Sequence, residues 1–332
     1  MVKTTLCHQL GIDHPIFSVG MGTCAGPELA AAVSTVGACG VLGTAGLPAK
    51  VVRQQIQTLR SLTQKPFGVN RILDHPQDGQ LEACFEERIP LLVLFWGDAK
   101  PYVQEAHDRG MKVFIQVGSV EEAKPAANAG VDAVIAQGVE AGGHVKGTVS
   151  LSTLLPAVVE AVKPVPVIAS GGIATGPGVV AALSLGAQGV SVGTRFLASE
   201  EAFIPREYKE RILQSRAEDT VYCQLFDIGW PAPHRVLRNK AVIEWEAAGR
   251  APAGHRPGEG TVIGTLPRGG KTLDVVRYSA MVPAPGFVGD LEYTALYCGE
   301  SCSLVNDIKP AAQIVRDMVH EAEQVIAEMR HE

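Results

Sequence analysis

Short apolar runs alternate with amphipathic stretches over most of the chain. Runs rich in Val, Ile, Leu and Phe occupy residues 15–21, 41–45, 66–71, 91–97, 112–118, 133–138, 166–172 and 189–195. They lack polar alternation, as expected of strands buried on both faces. Helical patterns lie between them, at 27–36, 49–62, 80–88, 100–109, 120–129, 152–162 and 177–185. In the second, Val51, Val52, Ile56 and Leu59 form one stripe; Gly37, Gly110, Gly130 and Gly186 stand where helices stop. Eight βα units within about 200 residues predict a closed parallel (β/α)₈ TIM barrel.

The rival is a doubly wound open sheet, which needs a nucleotide-binding turn after its first strand. That turn reads Gly20-Met21-Gly22-Thr23-Cys24-Ala25-Gly26, but no acidic residue ends the second strand. A lone glycine pattern of this kind carries little weight.

After residue 195 the rhythm breaks. Residues 200–216 read as helical, and 217–304 hold Pro231, Pro233, Pro252, Pro257, Pro267, Pro283 and Pro285. At 310–330, Ile314, Met318, Ala322, Val325 and Met329 return at helical spacing. The expected organisation is a barrel from 1–205 plus 305–332, closed by this C-terminal helix. The inserted segment after strand 8, residues 206–304, would lie over one end and line the substrate pocket.

Length and composition agree. The chain has 332 residues, 46% of them hydrophobic and 19% charged, which suits a large core and excludes a disordered chain. The net charge is −6 and the basic residues are scattered, which argues against a nucleic-acid partner and polybasic membrane contact. Nothing approaches a transmembrane span, and the opening Met1-Val2-Lys3-Thr4-Thr5-Leu6-Cys7 lacks the apolar core of a signal peptide. A cytoplasmic location is therefore expected. The seven cysteines include no C-x-x-C, so buried thiols are expected, Cys298 and Cys302 among them, rather than disulfides or zinc. Asp13-His14 and Asp74-His75 lack partners at ligand spacing, and no metal is expected.

In such a barrel the chemistry sits at the C-terminal strand ends. The seventh and eighth strands end in Ser170-Gly171-Gly172 and Ser191-Val192-Gly193-Thr194-Arg195. Both turns suit a phosphate, and a helix starting at Thr175-Gly176-Pro177 would add its dipole. After the sixth strand comes Gln137-Gly138-Val139-Glu140-Ala141-Gly142-Gly143-His144-Val145-Lys146-Gly147. Two glycines allow close approach and are followed by a side chain that titrates near neutrality, so His144 is the candidate acid–base. Asn70, Gln116 and Gln137 end buried strands, where amides can meet the edge of a planar heterocycle. Ser170 lacks the G-x-S-x-G context of a hydrolase.

The stretches Gly138-Val139-Glu140-Ala141-Gly142-Gly143-His144, Ile168-Ala169-Ser170-Gly171-Gly172-Ile173 and Val192-Gly193-Thr194-Arg195-Phe196-Leu197 together resemble the nitronate monooxygenase family, formerly 2-nitropropane dioxygenase. They are also similar to the FMN-dependent enoyl-ACP reductases of the same superfamily. His14-Pro15-Ile16, Gly20-Met21-Gly22 and Pro66-Phe67-Gly68-Val69-Asn70 extend the likeness over residues 10 to 200, and Leu296-Tyr297-Cys298-Gly299-Glu300-Ser301 adds to it more loosely. The resemblance implies FMN held without covalent attachment by Met21, Gly22, Asn70, Gln116, Gln137, Gly142, Ser170, Gly171, Gly172, Ser191, Val192, Gly193 and Thr194, with His144 catalytic. It implies oxidation of alkyl nitronates, or of nitroalkanes, by oxygen to a carbonyl compound and nitrite. Lys146 is a departure, since many relatives have a shorter H-x-G, and it is expected to alter substrate fit. The alternatives are an NAD(P)H-dependent FMN reductase of enoyl thioesters or quinones and a non-redox barrel that binds a phosphate ligand. A homodimer is the base-rate expectation.

Overall fold

A computed structural model describes residues 3–74, 79–268 and 270–331. Strands β1 (Ile16–Ser18), β2 (Gly40–Gly43), β3 (Phe67–Ile72), β4 (Leu91–Phe95), β5 (Lys112–Val117), β6 (Ala133–Gln137), β7 (Val167–Ser170) and β8 (Gly189–Val192) form one parallel sheet. β1 lies beside β8 and meets β2 through a Phe17–Cys39 bridge. There the Cys39 amide donates to the Ile16 carbonyl (2.9 Å) and the Ser18 amide to the Cys39 carbonyl (3.0 Å). The sheet thus closes into a (β/α)₈ barrel.

Both faces of each strand are apolar, for different reasons. Leu42, Val69, Leu92, Leu94, Val113, Ile115, Val134, Ala136, Ala169, Val190 and Val192 face the helix layer. Phe17, Val41, Val93, Phe114, Ile135 and Ile168 face the barrel axis. The strand period of two continues along the inner face. It brings Asn70, Gln116, Gln137, Ser170 and Ser191 onto that face above the apolar layer. The barrel therefore has a dry floor and a polar upper rim.

A short helix, Thr5–Leu10, stops the lower end. Thr4 caps it by accepting from the Cys7 amide (3.4 Å), and Gly11 ends it at φ 69°. Leu6, Cys7 and Ile12 join the inner apolar cluster. The strand-and-helix pattern does not announce this plug, although Thr4 and Gly11 bracket it in the sequence.

The outer ring is completed by the C-terminal helix, Ala311–His331, which packs against helices Gly176–Ser184 and Pro27–Thr35. Several boundaries differ from expectation; β7, expected over 166–172, is Val167–Ser170. β1 and β8 are shorter than 15–21 and 189–195: the chain turns through a 3₁₀ turn at Gly22–Cys24 and a short helix at Thr194–Leu197. The helix expected over 200–216 is confined to Arg206–Leu213, because Pro205 fixes its entry.

After helix Arg206–Leu213, the described residues up to 304 build two small sheets and the helix Lys240–Ala247. Strand Thr220–Cys223 pairs with His234–Leu237, which also pairs with Gly143–His144 of the loop after β6. Strand Val262–Arg268 pairs with Lys271–Val276 and with Val288–Gly289. Val221, Phe226, Val236, Val242 and Tyr278 give this segment a core of its own.

Leu6 is 1% exposed, and its truncation leaves a cavity under the barrel floor. Leu6→Ala is expected to destabilise the protein by about 2–5 kcal/mol in urea denaturation. The upper rim, several layers away, should keep its ligand affinity.

Candidate active site

The upper rim opens into a cavity of about 220 Å³ lined by the C-terminal ends of all eight barrel strands and by the inserted segment. Of the residues expected to hold a cofactor, Met21, Gly22, Asn70, Gln116, Gln137, Gly142, Ser170, Gly171, Gly172, Gly193 and Thr194 line it, and so does His144. Two do not. Ser191 lies on the inner face in register with Ser170 but is not among the residues that line the cavity. Val192, at 1% exposure, belongs to the helix-side core because the strand alternation turns it outward.

The glycines are there for space. Gly171 and Gly172 adopt φ 104° and 71°, and a Cβ on Gly171 would stand 3.1 Å from that of Ala141. At Gly142 a Cβ would lie 2.3 Å from the Gly299 nitrogen, so two backbones touch directly. Gly299 also donates to Thr194 Oγ1 (3.0 Å), and the Glu300 amide to the Glu140 carbonyl (3.0 Å). The loop after β6, the end of β8 and the returning insertion thus meet around Gly299.

The helix after β7 does not act as expected. Its first amide, Gly176 N–H, donates to Glu321 Oε2 of the C-terminal helix (2.7 Å). That carboxylate already satisfies the helix dipole, so an anion at the rim would depend on the Gly171–Gly172 and Gly193–Thr194 turns instead.

Gln137 points one amide end at the loop, with Nε2 donating to the His144 carbonyl (3.1 Å), while its buried Oε1 has no hydrogen-bond partner. A buried acceptor without a donor costs about 1–3 kcal/mol, and this one lines the cavity. Asn70 is held by donation to the Val93 carbonyl (3.1 Å). The rim therefore offers an unsatisfied acceptor beside side-chain-free turns, which fits a flat heterocycle carrying N–H groups and a phosphate.

His144 sits on the two-residue strand Gly143–His144, opposite His234. Its ring packs on Trp230 (centroids 3.7 Å apart, 31° between planes), with Tyr297 at 5.2 Å and His234 at 5.5 Å. His234 is fully buried: its Nδ1–H donates to the Ala232 carbonyl (2.9 Å) and its Nε2 accepts from the Phe226 amide (3.1 Å). Those two bonds fix the neutral tautomer, and burial holds the pKa of His234 below the ordinary 6.5. Tyr297 donates to the Ala280 carbonyl (3.0 Å), and burial pushes its phenol far up.

Lys146 does not enter the cavity. It pairs with Glu122 and lies 5.7 Å over the face of Trp96, the residue that follows β4 at φ 59°. Its link to the cavity is indirect: it backs Trp96, whose ring stands edge-on to Trp230 (5.4 Å). Trp230, Tyr297 and Tyr208 were not among the residues expected at the site, although all three line the cavity. The available signal was a tryptophan between Gly229 and Pro231 in a chain with only 5% aromatics. Among the described residues no cluster of His, Cys, Asp and Glu could hold a metal, and no helix is long and apolar enough to cross a membrane. His75 lies outside the described residues; Cys298 and Cys302 are buried free thiols.

The family model described as nitronate monooxygenase matches residues 3–93 and 78–321. The chain belongs to the nitronate monooxygenase family. A nitronate monooxygenase of Paraburkholderia phytofirmans is 29% identical over 99% of this chain and 97% of its own length. A (3aS,4S,5R,7aS)-5-hydroxy-7a-methyl-1-oxo-octahydro-1H-indene-4-carboxyl-CoA dehydrogenase of Mycobacterium tuberculosis is 36% identical over 75% of this chain and 70% of its own. Among solved structures, FabK from Thermotoga maritima superposes with a TM-score of 0.82 at 34% identity, covering 100% of this chain and 99% of its own. Nitroalkane oxidase from Streptomyces ansochromogenes gives 0.78 at 27% identity, over 96% and 98%. The protein is thus a flavin-dependent oxidoreductase of a family that generally uses FMN.

Two outcomes follow for this nitronate monooxygenase family member. Gly142→Ala forces apart the backbones at 142 and 299 and is expected to cost about 1–3 kcal/mol in urea denaturation. His234 is held neutral in the fold, so the unfolded chain binds more protons once the pH falls below about 6.5. Stability should drop on that side, with a slope from this group of at most about 1.4 kcal/mol per pH unit. His234→Asn should flatten the urea-derived stability–pH profile between about pH 5 and 7.

Proposed function

We propose that this protein binds FMN without covalent attachment and oxidises alkyl nitronates, and the parent nitroalkanes, with oxygen to a carbonyl compound and nitrite. The observation that carries this reading is one cavity that brings His144, the partnerless Gln137 Oε1 and the Gly171–Gly172 and Gly193–Thr194 turns together. The nitronate monooxygenase and nitroalkane oxidase likenesses, which extend over nearly the whole chain, support the substrate class.

FMN would be held at Met21, Gly22, Asn70, Gln116, Gln137, Ser170 and the two glycine turns, its phosphate at the latter. When bound it supplies the redox chemistry, taking electrons from the substrate and passing them to oxygen. The chain's own residues handle position and protons. His144 removes the α-proton of a neutral nitroalkane at an imidazole nitrogen, and in its protonated form hydrogen-bonds the anionic nitro oxygens. Trp230 and Tyr297, with Ala280 and Val282 of the inserted segment, exclude water from that side. On this reading residues 206–304 are the substrate-side cover.

A second reading, NAD(P)H-dependent reduction of an acyl thioester, is favoured by one observation. FabK and the CoA-thioester dehydrogenase are both more identical to this chain than the nitronate monooxygenase is. Anaerobic mixing separates the two. A flavin bleached by ethylnitronate and indifferent to NADH and NADPH supports the oxygenase; rapid bleaching by either nucleotide, without response to nitronate, overturns it. His144→Ala should retain FMN and lose about 10²-fold or more in kcat/KM for nitroethane. Preformed ethylnitronate, which needs no deprotonation, should lose less. Unchanged nitroethane turnover in a flavin-loaded variant would remove His144 from the mechanism.

A further inference from the structure

Trp230 stands at the tip of a loop whose two sides are tied down by the main chain. On one side the Ile228 amide donates to the Tyr278 carbonyl (3.1 Å), and the Ala280 amide to the Ile228 carbonyl (2.9 Å). On the other, the Val145 amide donates to the Pro233 carbonyl (3.0 Å), and Gln224 Nε2 to the Pro231 carbonyl (3.1 Å). The tip itself is a narrow turn, with Gly229 at φ 98° and open space where its Cβ would be. None of these four bonds uses the indole ring.

That ring is directed into the cavity, stacked on His144 at 3.7 Å, with Trp96 standing edge-on to it at 5.4 Å. One face of the imidazole is thereby covered, and Tyr297 closes in at 5.2 Å. On this side the space beside His144 is therefore bounded by aromatic rings, which suits a slender substrate better than a bulky one. Trp96 is backed by Lys146, itself paired with Glu122, so the wall behind Trp230 is braced.

We propose that Trp230 is the specificity-determining residue of the site. It confines the substrate to small, unbranched carbon acids by walling off the space beside His144, and it takes no part in proton or electron transfer. The inference rests on the reading of His144 as the group that meets the substrate.

Carboxylates test it, being planar monoanions like nitronates and inert to oxidation. Calorimetry on the purified holoenzyme with propionate and cyclohexanecarboxylate gives the binding ratio without turnover. Wild type should bind propionate at least ~10-fold more tightly, since a mismatched apolar group in a fitted pocket commonly costs that much. Trp230→Ala should bring the two ligands within about threefold or reverse the order, while Trp230→Phe falls between. In nitroalkane assays the same variant should raise kcat/KM for nitrocyclohexane relative to nitroethane, chiefly through KM. An unchanged ratio in a variant that melts like wild type overturns the proposal, as does a parallel loss of both ligands, which marks a merely structural ring. If Trp230→Ala does not fold, Trp230→Phe and Trp230→Leu read the same ratio. An enzyme that discriminates the carboxylates but oxidises no nitronate loses the proposed reaction and keeps this inference.

Discussion

The upper end of this barrel depends on one contact between two backbones, Gly142 against Cys298 and Gly299. Any side chain at residue 142 would separate them, because there is less room there than a methyl group needs. Around that contact Arg235 donates to the Val139 carbonyl (3.1 Å from Nε, 2.9 Å from Nη2), and the Glu300 amide ties back to Glu140. Glu140 in turn accepts from the Leu151 amide through both carboxylate oxygens (3.0 and 3.1 Å), fixing the start of the next helix. His144 is thus carried on a loop held at both ends, by the barrel below and by the insertion above. This is how a loop acquires the rigidity of a strand.

The floor of the barrel supports the same end differently. In β3, β5, β6, β7 and β8 the inner side chains change from apolar groups to amides and hydroxyls within one or two residues of the strand's C-terminus. A polar group one layer lower would be buried without water; one layer higher it would be solvated and poorly placed. The position of the change, more than the identity of any single amide, defines where a flat polar ligand can lie.

Much of this was legible in the chain. The strands could be counted because both of their faces are apolar, and amides and glycines at the ends of apolar runs mark the rim in the sequence. The nitronate monooxygenase likeness could be read in part because Gly171 and Gly172 hold left-handed φ values that favour glycine. What stayed hidden depends on long-range packing. Gly176 reads as a helix start open to an anion, and only the fold brings Glu321 to it. Val192 reads as part of a binding turn, yet the alternation of its strand turns it outward. Trp230 belongs to a proline-rich segment without periodicity, so nothing local indicates that its ring reaches His144. The plug Thr5–Leu10 is too short for a helical stripe to show.

The order of elements has a consequence for how the chain comes off the ribosome. Helix Ala311–His331 is made after every barrel strand, yet it covers helices Pro27–Thr35 and Gly176–Ser184, and Glu321 lies 145 residues from the amide it caps. Throughout synthesis of the insertion, the apolar flank between the first and last barrel units has no cover. Contacts of such separation form slowly and leave sticky surface exposed in the meantime. Until that helix emerges the nascent protein presents an uncovered apolar flank, even though the barrel itself closes through strand pairing that does not involve it.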